Sequence, residues 1–373
     1  MKLYRYILLL VIFVIYGCEQ RISPYERNEE NLVATNGYIF FDTERVTRGT
    51  PIENYLYEDF HVIGYQYSGE WTTVRPQTSQ NNAGVFDNKP QLVDWDGSAH
   101  SYSPLKEWNT ENTYSFFAWY PTNLAGWSGT SHQGEPYITY TLDRRNARNH
   151  VDVLTACVID RKVNLQDASS KSVSLEMQHR LSALDIVARS YVNAEVFSDV
   201  VNLTEAKVKI TRIDFKLTPK YDGAQIPLNT NDRNLTITGT QSISNGDKSM
   251  TFSSIGTSSP VVVNYYSSNS DLATITTDSE ETMFLIPQPG EGIPCTMTVT
   301  YDIIDASGAS IWNTVYPDQS QGPAKTQSQD ITIKELQEGM RYYLLINITK
   351  SGITVVVLDP EAWEDTFIDY EFQ

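Results

Sequence analysis

From Gly37 onward the chain carries β-branched and aromatic residues in short runs. They recur every 8 to 15 residues and are punctuated by Gly, Pro, Asn and Asp. Runs this short and this evenly spaced cannot supply the long apolar stripe a helix bundle needs, so they predict an all-β, sandwich-type fold. Clear cases are Tyr38-Ile39-Phe40-Phe41, His61 to Tyr67, Thr113 to Tyr120 and Met297 to Ile303. In Val208 to Leu217 basic and apolar side chains alternate, the mark of a strand with one face in a core and one in water. Helical signals are few: about two turns over Asn193–Val201 and a single glycine-closed turn over Ile333–Gly339. The small polar segment Gln166–Lys171 marks the cleanest boundary, and Thr230–Ser259 reads as hairpins with long loops. With 373 residues there is chain for two cores, which predicts β domains over 37–168 and 169–373.

The first residues have another purpose. Lys2 and Arg5 precede the apolar run Ile7–Ile15, too short for a bilayer span of about 20 residues and the size of a signal-peptide core. The following Ile15-Tyr16-Gly17-Cys18 is similar to a bacterial lipobox, although Tyr16 stands where a small residue is usual. The resemblance implies a signal peptide over 1–17, lipidation of Cys18 and a polar tether over 18–36. Several acyl chains at one site make release from a bilayer very slow, since each buried methylene contributes about 0.8 kcal/mol. No strongly acidic surface-export signal follows Cys18, so display on the outer leaflet is a separate expectation.

Charge excludes one class of partner. The chain carries 28 Lys+Arg against 46 Asp+Glu, a net of -18, and loss of Lys2 and Arg5 would take it to -20. Without a compensating basic cluster, such a chain is repelled by nucleic acid and by anionic lipid. Catalytic constellations are equally scarce. There is no His-Glu-x-x-His, phosphate loop, Gly-x-Ser-x-Gly elbow or Cys-x-x-Cys, and Gly126-Trp127-Ser128-Gly129 has the wrong spacing. His61, His100, His132, His150 and His179 are scattered, and Asp94-Trp95-Asp96-Gly97 lacks the later ligands of a calcium loop. Nothing points to a cofactor, a metal or an enzyme.

If Cys18 is lipidated, only Cys157 and Cys295 remain; both lie in strand-like runs and read as small buried thiols, with a bridge between them unsupported. Trp71, Trp127 and Trp312 sit among polar neighbours and are expected at the surface, where aromatic faces stack on sugars. Trp119, inside Phe116–Tyr120, is expected in the core.

Taken in order, several stretches resemble the fimbrillins, pilin-type lipoproteins of Bacteroidetes. They begin with Val46-Thr47-Arg48-Gly49, then Phe60-His61-Val62-Ile63-Gly64-Tyr65, then Trp108-Asn109 leading to Tyr114–Pro121. Next are Asp152-Val153-Leu154-Thr155-Ala156, Met177–Leu184 and Met283–Gln288. Leu336, Gly339, Tyr342 and Leu344, then Gly352-Ile353-Thr354-Val355 and Trp363-Glu364, complete the series. His179 beside Leu181 and Leu184 reads as a hydrogen-bonded structural residue, and Gly339 as a turn requirement.

The resemblance implies two tandem transthyretin-like, Greek-key β-sandwich domains and a mechanical role: a structural or adhesive subunit of a pilus at the outer membrane. In shaft subunits of that family an arginine-specific protease removes the tether with the first strand, and a strand from the next subunit fills the vacated groove. Filling a groove with four or five apolar side chains gains roughly 6 to 15 kcal/mol gross, at about 1.5 to 3 each. Ordering the donor takes part of this back. Two segments fit the parts. Tyr38, Ile39, Phe40 and Phe41 form the displaced strand if cleavage falls after Arg48, with Arg45, Arg27 and Arg21 also open to a protease. Ile368, Tyr370 and Phe372 share one face of a C-terminal donor strand, with Asp369 and Glu371 on the other. The partners expected are other pilus subunits, the outer membrane through the lipid, and a host or bacterial surface ligand. The competing expectation is a surface lipoprotein that binds glycans on exposed aromatics and does not polymerise. Shaft, tip and anchor roles are not distinguished by these motifs.

Overall fold

The computed structural model describes residues 37–45, 56, 58–74, 84–87, 89–124, 135–144, 149–232, 234–241, 250–253, 260–268, 271–276, 282–288, 290, 292–317 and 325–362. Strands dominate. The first eight are β1 (Phe40–Arg45), β2 (Phe60–Tyr67), β3 (Gln91–Trp95), β4 (His100–Ser101), β5 (Thr113–Tyr120), β6 (Tyr137–Thr141), β7 (Leu154–Arg161) and β8 (Ser172–His179). Next come β9 (Ser182–Ser190), β10 (Lys207–Leu217), β11 (Gly223–Pro227), β12 (Thr238–Thr240), β13 (Met250–Ser253), β14 (Val261–Val263), β15 (Ala273–Thr274) and β16 (Met283–Leu285). The last are β17 (Ile293–Ile304), β18 (Lys325–Ile333), β19 (Met340–Thr349), β20 (Gly352–Val357) and β21 (Glu361–Ala362).

These strands form four sheets. One has seven strands in the order β1-β8-β7-β5-β2-β3-β4. A five-stranded sheet runs β13-β10-β17-β18 with β14 further along β10, and a six-stranded one runs β15-β9-β19-β20 with β16 on β9 and β21 on β19. A three-stranded sheet, β12-β11-β6, joins β6 from the first half of the chain to strands of the second. Pairing is antiparallel except for β1 on β8 and β19 on β9.

Strand β5 is buried on both faces, which is why Thr113 to Tyr120 reads as a continuous apolar run rather than an alternation. Phe117 and Trp119 face a large core shared with the five- and six-stranded sheets; Phe116 and Ala118 face a second core built around β1, β2 and β8. In the five-stranded sheet the inward row is Val208, Ile210, Ile213, Phe215 and Leu217. A bulge between Ile210 and Arg212 restarts the alternation, so the basic–apolar pattern holds on both sides of an irregularity.

Several expectations need correcting. Trp71 and Trp312 are each only 1% exposed. Each opens a four-residue helical turn, Trp71–Val74 and Trp312–Val315, that turns the polar neighbours outward and drops the indole into the core. Trp71 packs on Tyr65, Tyr67 and Phe117 and donates its Nε1–H to the buried Glu135 carboxylate at 3.0 Å. Trp127 lies outside the described residues, and Trp119 is in the core as expected. The helix expected over Asn193–Val201 shrinks to a 3-10 turn at Glu195–Phe197, because burying Phe197 alone anchors the segment. Over Ile333–Gly339 no helical turn forms: Ile333 ends β18, and Leu336 makes an isolated bridge to Gln288.

Gly339 has φ +66°, and a Cβ there would sit 3.2 Å from the His179 carbonyl, so the turn does require glycine. His179 is buried, its Nδ1 2.8 Å from Asp152. Cys157 and Cys295 are free thiols, Cys157 half-buried and Cys295 buried. Burial pushes the Cys295 thiol up to about 12. The polar segment 166–171 is the connection between β7 and β8, neighbours in one sheet, and the chain leaves that sheet at Arg180 and Leu181. Of the Thr230–Ser259 hairpins, β12 and β13 are described.

Candidate functional site

The site that the sequence singles out at the first strand is a strand in its slot. Gly37 starts it with φ +80°, a backbone conformation that favours glycine. The Gly37 carbonyl accepts the Trp108 N–H at 2.8 Å, Tyr38 bridges to Glu107, and the Ile39 N–H donates to the Lys106 carbonyl at 2.9 Å. From Phe40 the chain turns to its other neighbour and runs parallel to β8, Phe40 opposite Ser172 through to Arg45 opposite Met177. β1 is therefore held on two sides. It is the end strand of the seven-stranded order, lying between its neighbour β8 and residues 102–108, which follow β4 at the other end.

The side chains divide by the two-residue period of a strand. Ile39, Phe41 and Thr43 are buried at 0%, 5% and 0% exposure, while Tyr38, Phe40 and Asp42 are half-buried on the other face. The Phe41 ring lies 5.3 Å edge-on from Phe116, 5.7 Å from Tyr102 and 6.2 Å from Phe86. Val173, Leu175 and Met177 of β8 complete the apolar wall, all fully buried. Thr43 donates its hydroxyl hydrogen to the Leu56 carbonyl at 3.2 Å, which allows a polar residue at an inward position. The Tyr102 hydroxyl donates to the Ile39 carbonyl at 3.0 Å and accepts from the Lys106 N–H; burial pushes its pKa up to about 12. It stays a neutral donor at any physiological pH.

Gly64 on β2 makes this floor possible: a Cβ there would meet the Phe116 ring at 2.8 Å and Phe86 at 3.1 Å. Trp108 packs edge-on against Tyr114 at 4.8 Å and donates its Nε1–H to the Lys171 carbonyl at 3.0 Å, tying the 102–108 segment to the turn before β8. Burying Ile39 and Phe41 contributes about 1.5 to 3 kcal/mol each.

The four-residue segment Tyr38–Phe41 is thus part of a longer strand, and only Ile39 and Phe41 of the four enter the core. Sequence reasoning missed Thr43, whose neighbours Asp42, Glu44 and Arg45 look like the start of a loop. It also missed the walls, because Tyr102, Lys106 and Phe86 are distant in sequence. The period-two spacing of Ile39, Phe41 and Thr43 was the one signal available. Cys18, Arg48, Ile368, Tyr370 and Phe372 lie outside the described residues. The described chain ends at β21, which pairs Glu361 and Ala362 with Arg341 and Met340. Among the described residues no helix is long and apolar enough to cross a membrane.

Residues 68–363 match the fimbrillin-like family. That span is most of the chain, and the chain belongs to this family. No curated protein matches it. Among solved structures it is similar to a fimbrial protein from Bacteroides vulgatus at 16% identity and TM-score 0.58, covering 88% of this chain and all of that one. A protein assigned to cell adhesion from Bacteroides ovatus aligns at 11% identity and TM-score 0.48, over 89% of this chain and 99% of that one. Another from Bacteroides uniformis aligns at 15% identity and TM-score 0.41, over 88% and 100%. The first of these likenesses supports the all-β fold, and the family match makes this a fimbrillin-like protein.

Proposed function

We propose that this chain is a structural and adhesive subunit of a pilus, exported as a lipoprotein through Cys18, and that β1 is the strand it gives up on assembly. One observation carries the reading: β1 closes the seven-stranded sheet by bridging β8 and residues 102–108, yet it connects to β2 only through residues 46–59. Arg48 lies in that connection. A cut after Arg48 would separate tether and strand from the remaining sheet, opening a groove lined by Phe86, Tyr102, Phe116, Val173, Leu175 and Met177. A strand from another copy would replace the lost backbone ladder and set its register by the side chains it puts into those pockets. The alternation of Ile368, Tyr370 and Phe372 suits that donor. On this reading the β8–β9 passage at Arg180 and Leu181 is the seam between two β domains, and the three-stranded sheet is a bridge across it.

The test is intact mass spectrometry of the protein from its native envelope, before and after an arginine-specific protease. A species beginning at Gly49 together with higher oligomers supports the reading. An acylated species beginning at Cys18, monomeric and unchanged by the protease, removes the strand-exchange part.

A further inference from the structure

Trp71 and Trp312 lie in the core. Among the residues whose burial is described, the one aromatic in the exposed class is Tyr265, at 43%. It follows β14, and its backbone is fixed. Tyr265 bridges to Ser190 at the end of β9, and the next N–H, of Tyr266, donates to the Ser190 carbonyl at 2.7 Å. Behind this segment the Tyr191 and Tyr266 rings meet edge-on at 5.9 Å, and the Arg189 guanidinium lies over both at 5.4 and 5.0 Å. The exposed ring therefore stands on a braced support rather than on a free loop.

Tyr265 borders a groove of about 490 Å³, within the common range for small-ligand sites. Its other walls come from Asn264, from Asn193 just before the 3-10 turn, from Thr204 ahead of β10 and from Lys207 at its first position. Apart from the tyrosine, the apolar lining is limited to the two small residues Ala194 and Ala206, the latter buried. Asn193 accepts the Val196 N–H through Oδ1, which leaves the two N–H donors of the same amide for a ligand. Lys207 is paired with Glu205 at 2.7 Å, and Glu195 adds a second carboxylate, so the groove carries one net negative charge on a chain of net -18.

We propose that this groove binds a neutral saccharide, with the Tyr265 ring as its stacking platform. The amides of Asn193 and Asn264 and the hydroxyl of Thr204 offer donors and acceptors together, as a polyhydroxylated ligand requires. A flat exposed ring accepts the C–H face of a sugar, and polar walls disfavour an apolar occupant. The local and overall negative charge works against sialylated or sulfated glycans. Nothing in this inference depends on polymerisation or on removal of β1.

Saturation-transfer NMR on the full chain, with galactose, fucose, N-acetylglucosamine and lactose as probes and sialyllactose as the charged comparison, tests it. Transfer to ring protons of at least one neutral sugar is expected. Affinity should fall roughly tenfold in Tyr265→Ala and by no more than about threefold in Tyr265→Phe. The ring is exposed, so neither variant should alter folding, which circular dichroism checks. The proposal is overturned by absence of transfer to every neutral probe, by unchanged binding in Tyr265→Ala, by equal losses in Ala and Phe variants, or by preference for sialyllactose.

Discussion

Two edges of this protein are closed in opposite ways. At the first, β1 itself occupies the edge, pairing along β8 and bridging to residues 102–108. At the second, the outer edge of β20, side chains take the part of a strand. Gln327 and Gln329 of β18 accept the Ile353 and Val355 N–H groups at 2.9 and 2.7 Å, and Gln329 returns a donor to the Val355 carbonyl at 3.1 Å. The Tyr301 hydroxyl donates to Gln327 at 3.1 Å and holds that amide in place. Each device satisfies an exposed ladder and so blocks unwanted strand addition. The difference is that the glutamines belong to β18, which is paired along its length with β17, whereas on the proposed reading β1 leaves after a single cut in its connection. On that reading one edge is sealed and the other is removable.

Experiments that break one edge should leave the other intact. The largest effect is expected from starting the chain at Gly49, which removes β1: its unfolding midpoint in urea should drop by several kcal/mol equivalent, or the protein should associate. Phe41→Ala, which keeps the strand but empties its best-filled pocket, should cost about 3 to 5 kcal/mol in the same assay. Gln329→Ala is smaller, about 1 to 3 kcal/mol, since it strands the Val355 N–H and carbonyl. In that variant hydrogen exchange should quicken at Val355 and not at the amides of β8. An unchanged exchange rate at Val355 would show that the glutamine seal is not needed.

The smallest expected effect concerns pH. His150 is buried, its Nε2 donating to the Asp143 carbonyl at 2.7 Å while Nδ1 accepts the Phe284 N–H at 3.2 Å. The bond at Nδ1 needs the neutral ring, whereas the bond to the Asp143 carbonyl survives protonation; burial outweighs that bond and holds the pKa below the ordinary 6.5. A histidine with a lowered folded pKa stabilises above its unfolded value, and the contribution is lost as pH falls through the folded value. Stability should decline on acidification below about 6.5, with a shallower decline in His150→Gln, measured as urea midpoints from pH 7.5 to 5. An equal slope in both proteins would assign the acid sensitivity elsewhere.

The sequence shows the two edges unequally. β1 is legible because Ile39 and Phe41 keep the strand period, although its true end at Arg45 hides behind Thr43, whose hydroxyl is satisfied by a carbonyl thirteen residues away. The glutamine seal leaves no readable trace. In Lys325 to Ile333 both faces look polar, and nothing local says that Gln327 and Gln329 face another strand 26 residues on. The tryptophans fail for a related reason. Polar neighbours report where the backbone turns, not where an indole goes, and Trp71 finds its partner Glu135 64 residues away. The β character is written in local spacing; the pairings that make and guard an edge are long-range.

The central claim is that the slot of β1 can be vacated and refilled. The direct measurement is to prepare the chain beginning at Gly49 and follow its oligomeric state by analytical ultracentrifugation, with and without a peptide of residues 37–45. The account predicts association in the absence of peptide and a stable monomer in its presence, with weaker rescue when the peptide carries Phe41→Ala. A shortened chain that is monomeric, as stable as the full one and indifferent to the peptide would contradict it.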